Sequence, residues 1–170
     1  PTNKQHIEFV AVFDLKQDRV IQWTGKFYPT EQQKKDLIKI NDLNNHFIKL
    51  NDQKVLILGC HDLNVFSPRG QATASPDGWK KQVADRFKKL CKDFDPEIIL
   101  QHPHSTDTPN IWNAAWRELE RELPDVKHFA SGINYSRKNG VRSTLEAVLQ
   151  KTKKGDVVDF LDHDVNEMDF

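Results

Sequence analysis

The chain has 170 residues, enough for one domain of ordinary size with its own core. Hydrophobic residues make up 37% and charged residues 29%, a globular composition that excludes a disordered chain. Lys+Arg and Asp+Glu both number 25, so the net charge is zero and duplex nucleic acid is not favoured as the partner.

IEFVAVFDL (7–15) and VIQWTGKFY (20–28) are rich in β-branched and aromatic residues and predict an N-terminal antiparallel β-hairpin. Pro29-Thr30-Glu31 then stops the strand, and Leu37, Ile40, Leu43, Phe47 and Leu50 recur at a spacing that predicts a helix from 31 to about 50. KVLILGC (54–60) is a continuous apolar run, the pattern of a strand covered on both faces. Residues 64–78 read as a long polar loop. From Trp79, the recurrence Trp79, Val83, Phe87, Leu90 predicts an amphipathic helix.

Pro96 breaks that helix, and EIILQH (97–102) is a second buried strand, followed by a loop over 103–110. Trp112, Ala115, Leu119 and Leu123 mark a third helix closed by Pro124. VKHFAS (126–131) is a third strand of the alternating series, GINYSRKNG (132–140) a loop, 143–152 a fourth helix, and DVVDFL (156–161) a last strand. The acidic tail 162–170 is expected to fray. Strands alternating with helices predict one α/β domain over 1–161. Its expected core is a three-layer, mostly parallel, Rossmann-like sheet preceded by the antiparallel hairpin.

In such a sheet, ligands sit outside the carboxyl ends of the strands. Asp14, then Cys60-His61-Asp62 with Asn64, then His102, His104 and Ser105, then Asn134 all fall at or just beyond predicted strand ends. His102-Pro103-His104 places two imidazoles on one side of an extended segment, a geometry that two-histidine metal sites use. Asp62, His102, His104 and Asp14 form a donor set that a divalent ion (zinc, manganese or magnesium) would take. His61 joins Asp62, His102 and His104 as a candidate acid, base or ligand. His61 and Asp62 are neighbours on an extended segment and point apart, so Asp62 is preferred as the one directed into the site. Arg69, in the loop segment SPRG, and Arg137, in SRKNGVR, are candidate anchors for an anionic group, with Asn64, Ser105 and Asn134.

GCHD (59–62) and QHPH (101–104) resemble, in the same order, fragments of the calcineurin-like metallophosphoesterase pattern. Cys60 stands where that pattern has a metal-bridging asparagine and Gln101 where it has a glycine, so the likeness is confined to two four-residue stretches. The opening hairpin with Asp14 also resembles the start of a ribonuclease-H-like fold.

The expected function is hydrolysis of a phosphate ester or similar anionic substrate, metal-assisted, at the strand ends. The alternative is a non-catalytic α/β module that senses a nucleotide-like anion, alone or within a larger protein. Cys60 and Cys91 read as small buried hydrophobes, which fits the reducing cytoplasm. No apolar run approaches the length of a bilayer span, so no membrane role is expected.

Overall fold

The computed structural model describes residues 5–30, 33–102, 109–131, 134–136 and 141–143. The predicted hairpin is present as β1 (Phe9–Asp14) and β2 (Arg19–Gly25), with Ala11 opposite Trp23 and Asp14 opposite Arg19. Asp14 closes its turn: Oδ1 accepts the backbone N–H of Lys16 at 2.8 Å and of Gln17 at 3.0 Å. β1 and β2 form a two-stranded sheet of their own and do not extend the main sheet.

The helix expected from 31 to 50 is not formed. The chain turns at 33–36, Leu37 bridges to His6, and Ile40 N–H donates to the carbonyl of Lys26. A 3-10 turn follows at Leu43–His46, capped by Asp42, whose Oδ1 accepts the N–H of Asn44 at 3.0 Å. β3 (Phe47–Leu50) then pairs with β4 (Gln53–Leu58), Leu50 opposite Gln53. The two residues between them, Asn51 (φ 48°) and Asp52 (φ 68°), are both left-handed, as a two-residue hairpin loop requires. Asn and Asp side chains offer the backbone local partners that compete with a helix, and this segment is dense in them.

The main sheet has four strands in the order β3-β4-β5-β6, where β5 is Ile98–Gln101 and β6 is His128–Ser131. β3 is antiparallel; β4, β5 and β6 are parallel, with Leu56, Ile99 and Phe129 in register. Two crossovers join the parallel strands through α2 (Trp79–Phe94) and α3 (Pro109–Glu122), both where the apolar periodicity predicts them. The segment expected as a loop over 64–78 holds the 3-10 turn Asp62–Phe66 and the short helix α1 (Pro68–Thr73).

Leu56, Ile99 and Phe129 share one face of the sheet, and the core of α2 (Ala84, Phe87, Cys91) and of α3 (Ala115, Trp116, Leu119, Leu123) packs with them. Trp116 meets Phe129 edge-on at 5.2 Å, and Phe47, opposite Leu56, meets Phe87 at 5.6 Å. Both described crossover helices therefore cover the same face. The molecule is of mixed α/β content, with a separate two-stranded antiparallel sheet beside the four-stranded mixed one. Where a loop was expected over 132–140, a short strand forms: β7 (Asn134–Ser136) pairs antiparallel with β8 (Val141–Ser143). The predicted helix at 143–152, past its first residue, and the predicted strand at 156–161 lie outside the described residues, as does the 162–170 tail.

His46 is fully buried in this core, where it faces Phe27 at 4.8 Å and Phe87 at 5.4 Å. Its Nδ1–H donates to the carbonyl of Ile57 at 2.7 Å, which leaves Nε2 as a lone pair with no partner among the described residues. Burial pushes the imidazole down to about 4, against the Ile57 carbonyl and Asp42, which pull it up. The folded form then binds fewer protons than the unfolded chain between pH 4 and 6.5, so the contribution of His46 is complete above pH 6.5 and is lost as pH falls towards 4. The stability advantage of the native chain over His46→Gln is expected to shrink by about 3 kcal/mol across that window. Urea denaturation of both proteins at several pH values measures it; a pH-independent difference would show that His46 does not titrate with folding.

Candidate functional site

Because β4, β5 and β6 are parallel and in register, Leu58, Gln101 and Ser131 end side by side. Two bonds tie the first two ends together: His102 N–H donates to the Leu58 carbonyl at 2.9 Å, and the buried Gln101 donates through Nε2 to the Cys60 carbonyl at 3.2 Å. The rim anticipated from sequence is thus formed by these strands.

Asp62 occupies a different position from the one expected. It has no exposed surface, and its carboxyl group points into the protein. Oδ1 accepts the backbone N–H of Phe27 at 3.1 Å and of Tyr28 at 2.9 Å, and Oδ2 accepts that of Gly59 at 2.9 Å. These bonds pin the chain leaving β2 to the chain leaving β4. Burial pushes the acid up to about 7; the three N–H donors and the charge of Lys26 act in the opposite direction. A neutral acid can still accept all three bonds through the same two oxygens, but its O–H then needs an acceptor of its own.

Close approach here depends on Gly59, where a Cβ would lie 2.8 Å from Oδ2 and 3.1 Å from the Lys26 backbone. Lys26 is itself fully buried and donates through Nζ to Glu8 Oε1 at 2.9 Å and Gln33 Oε1 at 2.6 Å. To ligate a metal, Asp62 would have to surrender backbone bonds that nothing else is placed to accept. Its position does not suit the divalent-ion site expected from sequence.

Asp14 is not a partner for Asp62 either. It sits at the turn of the β1–β2 hairpin, whereas Asp62 binds residues just beyond the far end of β2. Six strand steps from Arg19 to Gly25 correspond to roughly 20 Å. Among the described residues, no three His, Cys, Asp or Glu side chains gather closely enough to hold a metal ion. His104, Ser105 and Arg137 lie outside the described residues, and Asn134 is described only as the first residue of β7.

The other predicted residues stay near the rim. The chain has left the strand by His61 (φ −97°, ψ −1°), which is half-buried while Asp62 turns inward, so the two do diverge. Asn64 Nδ2 donates to His61 Nδ1 at 2.7 Å, which places the proton of a neutral imidazole on Nε2. His102 keeps an exposed surface, and the protein packed around it holds its imidazole below the usual histidine range. Arg69 lies in the first turn of α1, where a loop was expected, and is exposed.

The residues that sequence reading passed over are cations around Trp79. α2 follows β4 in the crossover, so Trp79, its first residue, stands at the rim. Tyr28, held by Asp62, packs on Trp79 at 6.3 Å. Three ammonium groups lie against the indole: Lys39 Nζ at 4.7 Å from the ring centre, Lys34 at 5.2 Å and Lys80 at 6.0 Å.

Beside the ring is a cavity of about 100 Å³ lined by Phe27, Lys39, Asn41, Trp79, Val83 and Arg86, among others. Lys34, Lys39 and Arg86 make no ion pair among the described residues. Farther along α2 the lysines are paired, Lys81 with Asp85, Lys89 with Asp93, and Lys88 and Lys92 with Glu122. A second cavity of about 240 Å³, between Tyr28, Gly70, Ala84 and Lys88, includes the Lys81–Asp85 pair and is largely self-compensated. Among the described residues, Lys34, Lys39 and Arg86 thus gather positive charge outside any ion pair on the Trp79 side. The signal in sequence was the nearness of the lysines in QQKK (32–35) and WKK (79–81) to Tyr28 and Trp79. Compared with known proteins, the chain matches no family model, no curated protein and no solved structure.

Proposed function

We propose that the protein is a non-catalytic α/β module that binds a nucleotide-like anion beside Trp79. The reading rests on one observation: an indole face ringed by Lys34, Lys39 and Lys80 next to a cavity that adds Arg86. An aromatic ring offers a base a stacking surface, and nearby guanidinium and ammonium groups suit phosphate oxygens. The three-layer, Rossmann-like arrangement belongs to the same reading. It needs a helix against the sheet face of Val55, Ile57, Ile98 and Leu100, for which the spacing of Leu145, Val148 and Leu149 in the sequence is suitable. A cytoplasmic setting fits two buried cysteines that form no disulfide. Among the described residues, no helix is long and apolar enough to cross a membrane.

The test is a fluorescence titration with nucleoside mono- and triphosphates. Binding is expected to quench the native chain and to leave Trp79→Phe unchanged. Lys39→Ala and Arg86→Ala are each expected to weaken binding by about tenfold, and added salt to weaken it further. No quenching and no ligand-induced rise in melting temperature across that panel would overturn the reading. Phosphate release in the same samples, abolished in His102→Ala, would instead carry a second reading. That second reading is the phosphate-ester hydrolase with His61 and His102 at the rim, favoured by the Asn64 bond that fixes the His61 ring.

A further inference from the structure

The β1–β2 hairpin carries apolar residues on both faces, although only one of them packs against the other described residues. Val10 and Val12 are half-buried and Thr24 fully buried; Gln22 Nε2 reaches the Asn45 carbonyl at 3.0 Å, and Thr24 Oγ1 lies 3.1 Å from His46 Nδ1. That inner face is seated on the Leu43–His46 turn. The outer face holds Phe9, Ala11 and Phe13 from β1 and Trp23 from β2, which stands opposite Ala11. Phe9 is 57% exposed, Phe13 47% and Trp23 54%, and at either end of the same row Ile7 is 38% and Leu15 88% exposed. Phe9 and Trp23 meet edge-on at 5.8 Å, so the patch is continuous.

A continuous apolar run is the pattern of a strand covered on both sides, and here one side is left exposed by the described residues. At roughly 200 Å² per aromatic side chain, the exposed parts of the three rings come to about 300 Å². Leu15 and Ile7 carry the patch beyond the ~400 Å² that a lone domain ordinarily leaves open.

We infer that this outer face is the interface of a homodimer in which the β1–β2 hairpins of two copies pack face to face about a two-fold axis. The occupant is a second copy for three reasons. The patch is apolar throughout, and an isologous contact requires a surface complementary to itself. Two such patches brought together remove on the order of 1,000 Å² from water, the lower bound for a specific interface. The chain has no net charge, so copies do not repel, and the hairpin tip offers both signs, Asp14 and Asp18 beside Lys16 and Arg19. The inference is independent of the Trp79 site.

Sedimentation velocity of the full chain over a concentration series tests it. The native protein is expected to pass from monomer to dimer as concentration rises. Trp23→Lys is expected to stay monomeric with an unchanged circular dichroism spectrum. Should that variant fail to fold, Phe9→Lys, on the other strand of the same face, gives the same reading. A native chain that stays monomeric up to roughly 1 mM, where even a weak contact would register, overturns the inference. So does a dimer that persists in both folded variants, because it would lie elsewhere on the surface.

Discussion

Asp62→Ala is expected to destabilise the protein by about 4 kcal/mol or more, enough to unfold a domain of ordinary stability. The loss comes from the groups left behind. The N–H groups of Phe27, Tyr28 and Gly59 are buried and would keep no acceptor, at roughly 1–3 kcal/mol each. Asp62→Asn should be milder, since its amide oxygen can still serve Phe27 and Tyr28, but its NH₂ would face the N–H of Gly59, donor against donor. Urea unfolding of the three proteins measures the series. A loss below about 1 kcal/mol in the alanine variant would show that the carboxyl group is not the clasp between the two strand exits. The same group makes a pH-dependent contribution of opposite sign to that of His46. Its pKa is raised from 3.8 to about 7, so its share of stability falls as pH rises through that range.

Phe87→Ala is expected to cost about 3–5 kcal/mol, the range for removing a fully buried aromatic ring. Phe87 is where the parts of the domain meet. Its ring lies 4.3 Å from Phe27 after β2, 5.4 Å from His46 in the 3-10 turn and 5.6 Å from Phe47 in β3. Surrounding rings anchored to three separate backbone segments cannot close the void by one concerted shift, which places the cost towards the upper end. Phe87→Leu keeps most of the volume and should lose clearly less. Thermal melts of the two variants give the comparison; equal losses would mean that ring packing is not what Phe87 supplies.

The elements legible in sequence were α2 and α3, from their long periodic patterns, and the hairpin and the strands β4, β5 and β6, from apolar and β-branched runs bounded by turn signals. Where the reading went astray, a short-range signal outweighed a longer one. Leu37, Ile40, Leu43 and Phe47 have helical spacing, but Asp42 caps a 3-10 turn among them, and Asn51-Asp52 supplies the left-handed pair of a hairpin loop that ends β3. At the site, the sequence could place Cys60-His61-Asp62 at a strand end. It could not show that the backbone N–H groups of the distant Phe27 and Tyr28 join that of nearby Gly59 on the Asp62 carboxyl group, since those donors carry no side-chain signature. The Trp79 cluster was illegible for a related reason. Lys34 and Lys39 reach the ring only because the 33–40 segment abandons the helix and runs beside residues 6–8 and 26.

Among the described residues, a sheet that steps from β4 to β5 to β6 in one direction, with α2 and α3 on a single face, opens no crevice between those strand ends. Crevices of that kind arise where neighbouring strands send their connections to opposite sides. A ligand bound beside Trp79, as proposed, would therefore be gripped from the flank, by long flexible side chains and one ring, with few fixed backbone donors. Recognition of that type is tuned by ionic strength and tolerates variety in what is bound. It discriminates by charge and flatness far more than by the pattern of hydrogen-bonding groups on the ligand.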